Sequence, residues 1–244
     1  MGTEVTERTA STGGATPPAS QTLSRGIRAL EILADAPDGR TTVQVAEELG
    51  VHRSIAYRIL RTLEEHSLVI RDPGGRFLAG PGLANLARGV APRLQTAALP
   101  ELTALAADLR MTAFVAVWDR SHCVTLVAVE PPQGEGAIVQ RPGSRHRFDA
   151  GAPGIAIQSA LTEAEWNQLV PGQPYREESR AAAVTGFAGS HDEVIPGVSS
   201  IAAPILVRGQ LPAAIAVVYV RSDVPAEEIG QRVARAASAV GALL

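Results

Sequence analysis

The stretch Ala46-Glu47-Glu48-Leu49-Gly50-Val51-His52-Arg53-Ser54-Ile55-Ala56-Tyr57-Arg58-Ile59-Leu60-Arg61-Thr62-Leu63 decides the architecture of the N-terminal part of this 244-residue chain. It meets three requirements for two helices crossing over a tight turn. Ala46 is small enough for the crossing, Gly50 is free to turn left-handed, and Val51, Ala56 and Ile59 anchor the second helix. The spacing predicts a helix-turn-helix. The opposite face of the second helix carries Ser54, Tyr57, Arg58 and Arg61 three or four residues apart, with His52 and Arg53 at its start. No acid occurs from His52 to Leu63. An arginine fork reads guanine edges bidentately and also neutralises phosphates, so Arg53 is the candidate base reader, with Ser54 and Tyr57 as hydrogen bonders. Thr42, at the start of the preceding helix, joins His52, Arg58 and Arg61 in the DNA-facing set. The alternative is a solvated basic face on a winged helix that binds protein and no operator.

Working outward, Ile27, Leu30, Leu33 and Ala34 predict a first helix from Ser24 that stops at Ala36-Pro37-Asp38-Gly39. Thr41 and Gln44 form a capping box for a second helix, apolar at Val45, Ala46 and Leu49 and ended by Gly50. The third helix, about residues 52 to 65, buries Ala56, Ile59, Leu60 and Leu63. Behind it, Leu68-Val69-Ile70 and Arg76-Phe77-Leu78 flank Asp72-Pro73-Gly74-Gly75, a hairpin signal that turns three helices into a winged helix. Arg71 and Arg76 flank the wing turn, within reach of a phosphate or the minor groove. Residues 21–80 hold eight arginines and eight acids, so any affinity for DNA comes from one basic face and not from bulk charge.

Residues 1–20, rich in Thr, Ser, Gly, Ala and Pro, read as a disordered tail, and 81–95 as a linker helix (Leu83 to Arg93) interrupted by Gly89 and Pro92. Residues 96–244 read as a second domain. A helix from Leu99 to Arg110 leads into strands Ala113–Trp118 and Cys123–Val129. A strand Ala137–Gln140, a helix Gly154–Leu161 and a capping box at Thr162-Glu163-Ala164-Glu165 follow. A hairpin, Ser199–Leu206 and Ala213–Val220, turns around Arg208-Gly209-Gln210, and a helix from Ala226 closes the chain with Ile229, Val233, Ala236, Ala237 and Val240 on one face. The whole is an α+β fold.

Composition excludes several chemistries. All 22 basic residues are arginine, which removes phosphate-loop, Schiff-base and kinase lysines. The one cysteine, Cys123, has no partner for an internal disulfide, and His122 beside it points to the other side of a strand. His191-Asp192-Glu193 lacks metal-site spacing. No catalytic residue, metal or cofactor is expected. No apolar stretch approaches the roughly 20 residues of a membrane span, and no secretory signal is visible, so the expected location is cytoplasmic.

Beyond the helix pair, the motifs Gly75-Arg76-Phe77-Leu78-Ala79-Gly80, Gly143-Ser144-Arg145-His146, Ala152-Pro153-Gly154-Ile155-Ala156, Gly186-Phe187-Ala188, Glu193, Gly197 and Ile201-Ala202-Ala203-Pro204 recur in one protein family. With Leu49 to Glu64 as the recognition segment, residues 22 to 244 resemble the isocitrate-lyase-regulator (IclR) type of bacterial transcription factors. Ile55 stands where that family usually carries Thr. The resemblance implies a winged helix-turn-helix, a linker helix and a GAF-like effector domain. It also implies dimers, or dimers of dimers, on palindromic double-stranded operators. The expected activity is transcriptional regulation, as a repressor controlled by a small organic or aromatic acid. In the family such ligands sit against the loop matching Ala150-Gly151-Ala152-Pro153-Gly154, where backbone N–H groups at a helix start hold a carboxylate. Arg145, with Arg141, His146 and Arg147, precedes that loop without an acid among them, which suits an anion as well as it suits a solvated turn. The resemblance also points to Ser190, where the family often has Asp, to Ser200, and to Val217 and Tyr219, where small polar residues are usual. Bulk at the last two positions points to a larger, more apolar or aromatic effector, or to none at all.

Overall fold

A computed structural model describes residues 20–132, 138–206 and 212–244. The expected tail (except Ser20), Ala137 of the expected strand and the Arg208-Gly209-Gln210 turn lie outside the described residues. The chain divides into two compact units between Val90 and Ala91.

The first unit opens with α1 (Gln21–Ala34), whose N-cap Ser20 accepts from the Leu23 N–H. Its start is three residues earlier than the apolar pattern indicates, and its buried face differs. Ala29, Ile32, Leu33 and then Ala36 are buried, whereas Ile27 and Ala34 face solvent. The 3- and 4-residue spacing fits both sets of positions, and the small Ala29 side chain is the one that allows close helix packing. In α2 (Thr42–Leu49) the capping box is complete: the Thr41 N–H donates to Gln44 Oε1 at 2.9 Å and the Gln44 N–H to Thr41 Oγ1 at 3.3 Å. Gly50 takes φ +64°, which a side chain would resist, and α3 (Arg53–Glu65) follows. Ala56, Ile59, Leu60 and Leu63 of α3 enter a core with Ala29, Leu33, Val45, Val69 and Phe77. Strands β1 (Val69–Arg71) and β2 (Phe77–Ala79) pair antiparallel as the wing.

The expected helix from Leu83 to Arg93 is corrected to α4 (Gly82–Ala87) and the start of α5 (Pro92–Leu109). Pro92 begins a helix instead of breaking one, because the first helical position has no use for its missing N–H. The helix expected from Leu99 therefore begins seven residues earlier and carries Pro100 within it.

The second unit is built on a six-stranded antiparallel sheet in the order β5-β4-β3-β8-β7-β6. These are β3 (Thr112–Trp118), β4 (His122–Val129), β5 (Arg145–Arg147), β6 (Ala188–His191), β7 (Ser199–Ile205) and β8 (Ala213–Tyr219). Residues 138–140 are not strand. The edge next to β4 is formed instead by Arg145–Arg147, a charged run whose ladder bonds come from pairing and leave no apolar signature. Both β6 and α8 (Glu177–Thr185) were also without a sequence signal. One sheet face (Val115, Val117, Ile201, Ala203, Ile215, Val217) packs on α5 and α9 (Ala226–Ala242). The other face (Phe114, Ala116, Ala202, Ala216, Val218) packs on α6 (Ala152–Ser159), α7 (Glu163–Leu169) and α8. On this second side Trp118, Phe148 and Trp166 cluster with ring centroids 4.9 to 5.5 Å apart.

The start of α6 is seated by a glycine without room for a side chain. A Cβ on Gly154 would lie 1.9 Å from the Phe148 carbonyl oxygen, a backbone atom that cannot step aside. Gly154→Ala is expected to cost about 2 kcal/mol as overpacking, a melting-temperature drop of roughly 4–8 °C for a chain of this size. Differential scanning calorimetry checks it, and an unchanged melting point would show that this contact is not tight.

Candidate nucleic-acid interface and ligand cavity

In the first unit, the turn and the buried row of α3 leave its other face outward. His52 caps the helix, with Nδ1 accepting from the Ser54 N–H at 3.3 Å and lying 2.9 Å from Ser54 Oγ. Arg53, Ser54, Tyr57, Arg58 and Arg61 are all exposed, as the spacing predicts, and Ile55 shares their surface. Arg61 is 3.3 Å from Glu65, both well exposed, a pair weak enough to exchange for a phosphate. Thr42 is half-buried in the first turn of α2. On the wing, Arg71 Nε donates to the Gly75 carbonyl at 3.4 Å, and its guanidinium lies 5.5 Å from the Phe77 ring centre.

Arg76 departs from expectation. Its Nε donates to the Asp38 carbonyl at 2.9 Å and Nη2 to the Gly39 carbonyl at 3.1 Å, so the side chain ties the wing to the α1–α2 turn instead of extending past the wing tip. The donors sit 37 and 38 residues from their acceptors, a contact no local pattern reveals.

The second unit contains a cavity of about 350 Å³ against the α6 side of the sheet. Phe114, Val218 and Ser200 form its sheet wall. Ser190 and His146 flank it, Gly151 and Pro153 stand at the start of α6, and Val194, Ile195 and Val198 close over it. Of the residues expected there, Arg145, Gly151, Ser190 and Ser200 line it. Ala150 and Ala152 adjoin it without lining it. Val217 and Tyr219 are corrected: both side chains belong to the opposite face, in the core with α5 and α9. Every residue of β8 from Ala213 to Val218 is buried, so no polar alternation marks a face, and only the pairing of Ser200 with Val218 shows which residue meets the cavity. Val218, Phe114, residues 138–140 and the side chains of Val194, Ile195 and Val198 are among the cavity residues that sequence reasoning missed.

The backbone donors at the start of α6 are engaged. The Gly151 N–H donates to Glu193 Oε2 at 2.8 Å and the Ala152 N–H to Ser190 Oγ at 2.9 Å, while Pro153 has none to give. Arg176 holds the same carboxylate with Nη1 on Oε2 and Nη2 on Oε1, each at 3.3 Å, and reaches the Asp149 carbonyl at 3.0 Å. Burial pulls the Arg176 pKa down, but the hydrogen bonds it donates to Glu193 and Glu178 outweigh it and raise it overall. Arg145 is paired with Asp119 at 3.4 Å. Burial raises the Asp119 pKa, yet the backbone N–H groups of His122 and Ser121 hold it below the usual carboxylate range. Burial, followed by the charge of His122, lowers the His146 pKa, and its Nε2 is sealed from water without a hydrogen-bond partner. Burial also pushes the Cys123 thiol up to about 12, aided by the charge of Asp119, so it is not a thiolate at neutral pH.

A winged helix-turn-helix with an exposed basic recognition face, in one chain with an antiparallel-sheet domain that encloses a ligand-sized cavity, defines a DNA-binding transcriptional regulator. Residues 22–73 match the IclR helix-turn-helix domain. The chain is 27% identical over 234 residues to the HTH-type transcriptional regulator Rv1719 of Mycobacterium tuberculosis, covering 90% of this chain and 88% of that one. Its fold matches the crystal structure of an IclR transcriptional regulator from Alicyclobacillus acidocaldarius (TM-score 0.76, 24% identity, 93% of this chain and 99% of that one). It also matches an IclR homologue from Microbacterium hydrocarbonoxydans complexed with 4-hydroxybenzoate (TM-score 0.77, 20% identity, 92% and 99%). The helix-turn-helix of this chain is thus of the IclR type, and the relatives that match most of its length are transcriptional regulators. Among the described residues, no helix is long and apolar enough to cross a membrane.

The half-buried imidazole of His146 has a measurable consequence. Below the ordinary histidine pKa of about 6.5 the unfolded chain takes up a proton at His146 that the folded chain resists. Stability from this group is therefore complete above that pH and declines as pH falls from 7 towards 5. Melting curves at pH 7.5 and 5.5 should show a smaller difference for His146→Gln than for the wild type; an equal difference would place the titrating group elsewhere.

Proposed function

We propose that this regulator binds a palindromic operator in double-stranded DNA as a homodimer or a dimer of dimers, and that it acts in the cytoplasm as a repressor. In this reading Arg53 reads a base edge in the major groove. Thr42, His52, Ser54, Tyr57, Arg58 and Arg61 contact phosphates or base edges, and Arg71 approaches the backbone from the wing. The observation that carries it is the exposed face of α3, free of acids from His52 to Leu63 and met by Glu65 only at its C-terminal end, which stands outward on a buried apolar row. A small organic or aromatic acid, taken into the cavity, sets operator affinity to the extent that it discriminates between two arrangements of the oligomer. The cavity volume supports this, as does the fold shared with a protein solved with 4-hydroxybenzoate.

Fluorescence anisotropy on DNA from upstream of the gene, titrated with salt, tests the DNA half. Arg53→Ala should weaken specific binding about 10-fold or more, within the roughly 1–3 kcal/mol of a bidentate base contact. Arg58→Ala should weaken binding to all sequences alike and reduce the salt slope by about 1. Arg76→Ala should instead lower the melting temperature and leave the slope alone. Salt-insensitive binding that survives Arg53→Ala and Arg58→Ala together would favour a protein-binding winged helix.

A further inference from the structure

We infer that Ile55 is a specificity-determining residue of the operator contact: its side chain reads the C5-methyl group of a thymine in the major groove, so the half-site is selected by an apolar contact as well as by arginine. The inference rests on the DNA-binding reading above and adds to it one base and the chemical group that identifies that base.

The first observation is placement. Ile55 is the third residue of α3, in the turn that a recognition helix presents to base edges. Its N–H donates to the His52 carbonyl at 2.9 Å, inside the turn that His52 caps, so the backbone beneath it is fixed before any duplex arrives. A β-branched side chain in a helix is largely confined to one χ1 rotamer, which leaves little freedom to lose on contact.

The second is exposure. Ala56, Ile59, Leu60 and Leu63 enter the core of the first unit, each 9% exposed or less, while Ile55 is 39% exposed. A single exposed aliphatic is ordinary on a protein surface, so its neighbours decide what it is for. Ser54 beside it and Arg58 three residues on are both exposed, and no acid occurs from His52 to Leu63. A surface whose charge suits a polyanion therefore carries an aliphatic group within it.

The third is the chemistry left on that edge of the helix. Thr62, seven residues on and in the same row as Ile55, turns its hydroxyl proton back onto the Arg58 carbonyl at 3.1 Å. Ile55 has neither donor nor acceptor in its side chain. Among the groups that base pairs display in the major groove, the thymine methyl is the apolar one, and the rest are hydrogen-bond donors and acceptors. An isoleucine pressed on one of those would strip it of water and return no hydrogen bond. Against a methyl group it buries apolar surface on both partners.

Selection of duplexes from a random library by the full-length protein, repeated with Ile55→Ser, tests the inference. The wild-type half-site is expected to contain a T·A pair whose preference is lost with Ile55→Ser. Replacing that thymine by deoxyuridine removes the methyl and keeps every hydrogen-bonding group. By fluorescence anisotropy it should weaken wild-type binding about 4-fold for each half-site changed, the effect of burying one methyl-sized group. Ile55→Ser should bind the two duplexes alike. With a C·G pair at the same position, 5-methylcytosine should bind the wild type more tightly than cytosine by a similar factor. Melting curves check that Ile55→Ser folds, and if it does not, Ile55→Ala takes its place. Equal wild-type affinity for thymine and deoxyuridine overturns the inference and leaves the DNA reading standing. So does a deoxyuridine penalty that persists in Ile55→Ser, which would assign the methyl to another side chain such as Tyr57. A change of oligomeric state in Ile55→Ser, measured by light scattering, would place the side chain between copies of the chain and likewise overturn it. Failure of the wild type to enrich any duplex overturns the DNA reading and the inference together.

Discussion

Burial of β8 on both faces is the constraint on which the second unit depends. The strand lies in the middle of the sheet, hydrogen-bonded to β3 and β7, with α5 and α9 on one side and α6 on the other. Every side chain from Ala213 to Val218 must therefore fit a packed layer. Period-two alternation then divides the strand: Ala213, Ile215 and Val217 pack beneath α5 and α9, and Ala214, Ala216 and Val218 face α6 and the cavity. A shift of one residue in register would exchange the cavity wall for core. The shape of the cavity is thus inherited from the ladder, since Ser200 is opposite Val218 and Phe114 opposite Ala216.

The first unit was legible in the sequence almost throughout, because its signals are local. Capping box, left-handed glycine, apolar row and wing turn each lie within a few residues of what they determine, and the structure follows them to within a residue or two at α2, α3, β1 and β2. What failed there depends on distance or degeneracy. Two sets of positions on α1 satisfy helical spacing, and the packing partner chooses between them. The Arg76 side chain finds carbonyls that no short window contains.

The second unit was legible in its helices and central hairpins and opaque at its edges and its cavity. Strands β5 and β6 are polar and short, held by pairing alone. Resemblance to the family pointed to the strand that walls the cavity but to its other face, because an all-apolar run carries no phase. Resemblance likewise marked the α6 start as an anion seat. The structure places Glu193 there, 42 residues along the chain, with Arg176 behind it. Gly151, Ser190 and Ser200 were found because their neighbours are distinctive; Val218 and Phe114 were not, because nothing in their surroundings sets them apart from ordinary core.

The Arg76 tie between the wing and the α1–α2 turn carries a further consequence. Two carbonyls hold that guanidinium, and Phe77 pairs with Arg40 across the same junction at 2.7 and 2.9 Å, so the hairpin is fastened to the helical body before any duplex arrives. A loose hairpin would have to surrender conformational freedom on docking, at a cost charged against affinity. Here that freedom is already spent during folding, so any partner of the wing would meet a hairpin already fixed to the helical body.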